Sequence, residues 1–399
     1  MKIGVITITG GENFGCALQS YAVIKTFEKL GHEALLIDDA TKTGVRAQYQ
    51  KRSKFSKITP SYMLSVLKVR LKTKYMMKNQ RDRLIPSMIR RKKHAALYSK
   101  LKKERASNFK DFYSSYIPKT SYKISSKDNL KEKLAEFDLF STGSDQVWNP
   151  TYPHTSELRF LTFAENNQKL SFAPSFGISQ IPDYAKAPYT KWLSSFPMIS
   201  VREERGAEII KELTGKDAKV ICDPTMTLTK EEWENIEKKP AFDCSKPYAL
   251  TYFLGNESNH YRRYIEKIAK ERNLKVINLF DIRETTYFAT DPAEFIYLIH
   301  HAQAVFTDSF HAAVFSIIFK KDFMVFDRIE DGRSMGSRLK TLLGKFSLSD
   351  RIYSDSSDNN FSCVDFSKAE KILETERAAA IEFISSNIAN CLPTKTKGI

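Results

Sequence analysis

Residues 2–39, KIGVITITGGENFGCALQSYAVIKTFEKLGHEALLIDD, decide the fold class. Lys2 to Thr7 is a β-branched apolar run that predicts a strand and ends in Gly10-Gly11. From Cys16 to Leu30, the residues Leu18, Tyr21, Ala22, Ile24, Phe27 and Leu30 recur mostly at three- and four-residue spacings, which predicts a helix. Gly31 supplies its stop, and Ala34 to Ile37 is a second strand ending in Asp38-Asp39. Strand, loop, helix and strand in this order are the unit of a doubly wound parallel sheet.

The same alternation continues outward. Further strands are predicted at Asp138–Ser141, Lys169–Ala173, Met198–Val201, Val220–Cys222, Tyr248–Leu254, Val276–Leu279, Ala304–Thr307 and Phe323–Phe326, with helical patterns between most of them. Thr229 and Glu232 form a capping box ahead of Trp233, and Asp291-Pro292 caps another helix. The expected fold class is therefore α/β with two Rossmann-like doubly wound domains. The proline- and lysine-bearing stretch Lys238 to Pro247 is the expected linker. It separates a first domain at 1–237 from a second at 246–366, and a last helix, Lys368 to Ile388, lies in 367–399.

The chain has 399 residues, 42% hydrophobic and 28% charged, an ordinary globular composition. Apolar runs such as Ala312–Phe315 fall far short of the roughly 18–20 residues of a membrane helix. The first residues read as a strand and not as a signal peptide, because Gly-Gly-Glu-Asn follows without a small-residue cleavage site. Five scattered cysteines without C-x-x-C argue against a disulfide framework or a zinc cluster and fit a reducing cytoplasm. No metal site is expected, and His300-His301 reads as helix surface and core contacts.

The net charge of +16 is confined to one segment. Residues 41–120 hold 23 Lys and Arg against Asp82, Glu104 and Asp111, whereas the remainder carries 40 basic and 44 acidic side chains. The segment reads as a basic helical insertion, with Met63, Leu64, Leu67, Leu71 and Tyr75 on one face of a cationic amphipathic helix. Two roles fit it: contact with an anionic membrane face or a lipid-linked pyrophosphate, or a solvated helix packed on the domain. Nucleic acid is disfavoured because no recognised module accompanies the charge.

In open α/β sheets, ligands sit beyond the C-terminal ends of strands, so the loops there are the candidate site. Gly10 to Gly15 precedes a helix, with small residues that let N–H groups approach an anion. Gly143 to Pro150 gathers Asp145, able to accept a hydroxyl proton, and Trp148, able to stack on a sugar ring. Arg202 ends a strand and suits a carboxylate or phosphate. Asp223 reads mainly as a cap. Asp308-Ser309-Phe310-His311 sets His311 in the first turn of a helix, where free N–H groups favour an anion and imidazole titrates near neutrality.

These loops, in this order, resemble the bacterial polysaccharide pyruvyl transferase family. The matching stretches are ENFGCALQSYAV (12–23), STGSDQVWNP (141–150), ISVREERGAEIIKEL (199–213) with VICDPTMTL (220–228), and AVFTDSFHAAVFSIIF (304–319). The resemblance implies a GT-B-type pair of domains with a cleft between them, the last helix folding back on the first domain. It also implies transfer of an enolpyruvyl-derived unit from phosphoenolpyruvate, a co-substrate with no further cofactor, to a sugar acceptor, free or lipid-linked. By this resemblance Arg202 and His311 bind the donor and His311 supplies acid catalysis. Asp145 positions or deprotonates the acceptor, with Asn13, Gln146 and Trp148 around it. Where some members have an Arg two residues before the His, this chain has Ser309; Arg338 is expected to supply that cation beside Ser309. Ala312 stands where Gly is frequent. The competing readings are a glycosyltransferase with a nucleotide-sugar donor and a non-catalytic envelope-binding protein.

Overall fold

The computed structural model describes residues 1–9, 11–41, 44–49, 95–255, 257–281, 285–330, 333–334, 337–354 and 361–391. Strands β1 (Lys2–Ile6), β2 (Glu33–Asp39), β3 (Lys119–Ile124), β4 (Leu139–Thr142) and β5 (Lys169–Ser171) form an all-parallel sheet in the order β3-β2-β1-β4-β5. Val5 pairs with Leu36 on one side and Ser141 on the other, which fixes the register at the centre. A short parallel pair, β6 (Ser200–Val201) and β7 (Lys219–Val220), continues this layer. It is joined to β5 through Ser200 N–H donating to Ser171 Oγ (2.7 Å) and Arg202 N–H donating to Pro174 O (3.2 Å).

The second sheet holds β8 (Tyr248–Tyr252), β9 (Lys275–Asn278), β10 (Ala304–Thr307) and β11 (Phe323–Val325), parallel in the order β11-β10-β8-β9. Helices of nine residues or more are α1 (Phe14–Lys29), α2 (Ala95–Tyr116), α3 (Asp183–Ser194), α4 (Glu204–Thr214), α5 (Asn259–Glu271), α6 (Pro292–His300), α7 (Phe310–Ile318), α8 (Ser337–Lys345) and α9 (Ser367–Cys391). Both capping boxes read from the sequence are formed, at Thr229/Glu232 and at Asp291/Glu294.

Helix α1 joins the two halves. It is buried on nearly every side because it packs on the first sheet and also on α6 and α7 of the second. Phe14 stacks on Phe295 with ring centroids 4.2 Å apart, and one continuous apolar core includes Ile3, Phe27, Leu250 and Phe315 from both halves. Helix α9 ties them further: Arg377 donates to Met226 O and Leu228 O, and Lys345 pairs with Glu376 at 2.9 Å.

Among the described residues the expected basic segment 41–120 is helical, but it is packed into the domain, and a strand begins at its end. Helix α2 is part of the core, with Leu101, Arg105, Phe109 and Phe112 buried, and β3 is the edge strand of the first sheet. Arg105 is fully buried. It donates to Phe288 O (2.8 Å) and Glu12 O (3.0 Å), and its guanidinium lies 4.5 Å from the Phe14 ring centroid and 4.9 Å from that of Phe109. Carbonyl dipoles and aromatic faces thus replace a carboxylate partner for a charge that burial disfavours. The amphipathic stripe Met63–Tyr75 lies outside the described residues.

Candidate active site

Each parallel sheet has a point where the strand order reverses, between β1 and β4 in the first and between β8 and β10 in the second, and crevices form there. At the first, Thr7 Oγ donates to Ser144 O (3.0 Å) and Gln19 Nε2 donates to Thr7 Oγ (3.0 Å), locking the two loops together. The next residue, Asp145, takes a left-handed backbone (φ 67°), a conformation a short polar side chain tolerates. Its carbonyl accepts from Val147 and Ser175 N–H, both at 2.8 Å. Its Oδ2 accepts from the Cys16 thiol at 3.0 Å. Burial and the neighbouring Asp145 push that thiol well up, so Cys16 serves as a neutral donor.

Asp223 is the hub. Its Oδ1 accepts from Thr225 N–H (3.0 Å) and Thr225 Oγ (2.7 Å), which is the capping role expected of it. Its Oδ2 accepts from Arg202 Nη1 (2.5 Å) and Ser144 Oγ (3.1 Å) and lies 3.7 Å from His311 Nε2. Sequence reasoning did not assign this second role, for which the only signal was its position just after a short strand. Burial alone would raise its carboxyl; His311 and Arg202 outweigh burial and hold it far below the usual carboxylate range. Arg202 is likewise disfavoured by burial, but Asp223, Asp145 and Glu203 outweigh that and raise it. Its guanidinium stacks 4.4 Å from the Phe310 ring centroid.

Arg202 and His311 therefore converge from the two halves on one carboxylate. Arg202 Nε and Nη2 and His311 Nε2 are buried, yet have no hydrogen-bond partner among the described residues. Buried polar groups are normally satisfied, so these nitrogens have hydrogen-bonding capacity left over. The His311 ring packs against Gly15, where an added Cβ would lie 2.1 Å from its Nδ1. The glycine of the first loop thus makes room for a histidine of the other half.

Arg338, on α8, lies beside Arg202. With the Gln146 amide oxygen turned toward it, Arg338 Nη1 and Nη2 donate to Gln146 Oε1 at 3.2 and 2.9 Å. Among the described residues no carboxylate pairs with it, and burial followed by the repulsion of Arg202 lowers its pKa. A small cavity of about 30 Å³ is walled by Arg202, Asp223, Phe310, Arg338, Lys345 and Glu376. His311 and Asp145 are not on that wall but lie 3.7 Å from Asp223 and Arg202, which are.

The second reversal point is saturated by the protein itself. Asp308 accepts from Leu254 and Gly255 N–H, both at 2.7 Å, and from Arg328 Nε at 3.2 Å, while Arg328 Nη2 donates to the Asp308 carbonyl. Neither Asp308 nor Arg328 stood out in the sequence.

One assignment changes, and two residues gain a structural role. Trp148 does not stack on an acceptor: it is fully buried, lies against Phe160 at 5.3 Å and donates its N–H to Arg159 O (3.0 Å). Ser309, expected at the donor, caps α7 by accepting from Ala312 N–H (3.5 Å). Asn13 caps α1, its Oδ1 accepting from Cys16 N–H (3.3 Å). Gly10 of the first loop lies outside the described residues.

Guanidinium and imidazole groups from the two halves thus form one buried cluster around Asp223. The chain belongs to the polysaccharide pyruvyl transferase family, whose profile matches residues 13–329. No curated protein matches it significantly by sequence. Among solved structures it is similar to the UDP-GlcNAc 2-epimerase of Neisseria meningitidis bound to UDP-GlcNAc (10% identity, 98% of this chain and 94% of that one, TM-score 0.41). It is also similar to MnaA of S. aureus with UDP (10% identity, 98% and 90%, TM-score 0.44). No described helix is long and apolar enough to cross a membrane.

Proposed function

We propose that this protein transfers the enolpyruvyl-derived unit of phosphoenolpyruvate to two hydroxyls of a sugar, forming a pyruvate ketal. Family membership supports the reaction class, and one observation supports the donor: buried nitrogens of Arg202 and His311 with no hydrogen-bond partner among the described residues, beside Arg338, with which no described carboxylate forms an ion pair. A small molecule bearing both a carboxylate and a phosphate answers that excess of donors.

In the reaction, the donor methylene carbon gains a proton and C2 acquires oxocarbenium character. One acceptor oxygen bonds to C2 and the C2–O bond to phosphate breaks. The second acceptor oxygen then closes the ketal. Of the two hydroxyl protons lost by the acceptor, one balances the new methyl group and the other leaves with phosphate. His311 is the acid, held against Gly15 and oriented by Asp223. Asp145 is the acceptor's base; Arg202 and His311 outweigh burial and lower its pKa, so it is ionised at neutral pH. Arg202 and Arg338 hold the donor's anionic ends.

The test is incubation of candidate glycans with phosphoenolpyruvate and the protein, followed by mass spectrometry for the ketal. Thermal stabilisation by phosphoenolpyruvate and not by a panel of nucleotides is the expected companion result. Stabilisation by nucleotides alone, without ketal, would replace this reading with a nucleotide-sugar transferase.

A further inference from the structure

We propose that His300, His301 and Glu237 form a binding site for a divalent transition-metal ion of the zinc class, apart from the anion pocket. His300 and His301 end helix α6, and Glu237 closes the turn after the short helix Lys230–Glu234. Glu237 Oε2 lies 2.8 Å from His300 Nδ1, and Glu237 Oε1 lies 3.3 Å from His301 Nε2. The three donor atoms all fall within 4.8 Å of one another. A tetrahedral ion with bonds of about 2.0–2.1 Å sets its ligands roughly 3.4 Å apart, so small side-chain rotations complete the geometry.

A fourth residue strengthens the reading. His300 Nε2 lies 3.2 Å from Glu234 Oε1, so both nitrogens of one ring face carboxylate oxygens. An ion held between His300 Nδ1 and Glu237 would leave the Nε2–H to donate to Glu234. A carboxylate behind a ligating histidine, fixing its tautomer, is the usual support of a metal-bound imidazole. The rings are held by stacking, His300 on Phe319 (4.6 Å) and His301 on Tyr297 (4.1 Å). The His301 side chain is 43% exposed, so the remaining coordination positions reach water. Two imidazoles and one carboxylate favour zinc, nickel or cobalt over magnesium or calcium.

The position suggests what the ion does. Glu237 lies in the crossover from the first half of the chain to the second, and α6 leads into β10 and His311. Lys238 is already anchored to α6 through the Ala293 carbonyl (3.2 Å) and Asp291 (2.8 Å). A bound ion would clamp the same crossover more firmly.

The full-length protein, stripped by chelator, is titrated with zinc chloride and followed by calorimetry and thermal melting, with magnesium chloride as the control ion. The expected result is one saturable zinc site that raises the melting temperature, and no response to magnesium. His301→Ala, at the exposed ring, weakens zinc binding at least tenfold and removes the thermal shift. Cys363→Ser, at an exposed thiol, leaves both intact. His300→Gln repeats the loss at the second ring, and activity of the stripped protein is unchanged in His301→Ala. Absence of a saturable site in the unmodified protein, or binding unaltered by both histidine variants, overturns the proposal and leaves the cluster as a proton-held ion pair.

Discussion

Asp145 and Asp308 occupy equivalent places, each in the loop where its parallel sheet reverses strand order, and their surroundings differ in one respect. Asp308 meets two backbone N–H groups and a guanidinium at hydrogen-bonding distance, so its oxygens are occupied by the protein. Asp145 has one thiol on Oδ2, and Oδ1 is 3.7 Å from Arg202, too long for a hydrogen bond. The second loop is a strut. The first has hydrogen-bonding capacity left over, and the second half brings Phe310, His311 and Arg338 to it. Equivalent topology thus marks two crevices, and hydrogen-bond satisfaction separates the one with capacity left over from the one the protein fills itself.

Variants can break or sharpen that contrast. His311→Gln is expected to lower turnover by about 10² to 10⁴ in the ketal assay while the melting temperature changes little. Near-normal turnover would remove His311 from the chemistry. Arg338→Gln should weaken phosphoenolpyruvate binding by about 2–4 kcal/mol in calorimetry. Because among the described residues Arg338 has only Gln146 as a hydrogen-bond partner, the fold should tolerate this change, and unaltered affinity would place the donor elsewhere. Gly15→Ala offers a sharper probe, since alanine in a helix interior ordinarily stabilises by about 1 kcal/mol. Here its methyl group meets His311, so turnover should fall about 10²-fold, as a displacement of about 1 Å can do. A more stable and fully active variant would show that the ring is not held there.

The strut predicts the opposite split. Asp308→Asn should cost about 1–3 kcal/mol of stability in urea unfolding, because one acceptor oxygen is lost to buried donors. Its folded fraction should retain turnover. The smallest effect is on pH. Asp145 and Asp223 both have folded-state pKa values below those of the unfolded chain, so their stabilisation is complete above the unfolded value of about 3.9. It is lost as pH falls from there toward the folded values. Melting temperature should drop on acidification below about pH 4, and Asp145→Asn should flatten part of that drop.

Much of the fold was legible because strand and helix periods are local. The run at Lys2–Thr7, the helix ending at Gly31 and the two capping boxes depend on residues within a few positions of one another. Strand β3 escaped notice because an edge strand carries exposed lysines, here Lys119 and Lys123, and because it begins at the end of the basic segment. Trp148 misled for a related reason: a polar loop with an indole resembles a sugar platform, and only packing shows the ring buried among Phe160, Phe176 and Phe196.

What the sequence determined by itself was the alternation of strand and helix, and with it the strand ends where Asp145, Arg202, Asp223 and His311 lie. Which of these meet was decided by the tertiary structure alone. Asp223 and His311 are 88 residues apart, and Gly15 and His311 are 296 apart. Their contacts exist because α1 is buried between two sheets, and no local period encodes how two sheets face each other. The unpartnered nitrogens beside Asp223 follow from that packing, since removal from water is what makes a missing hydrogen bond costly.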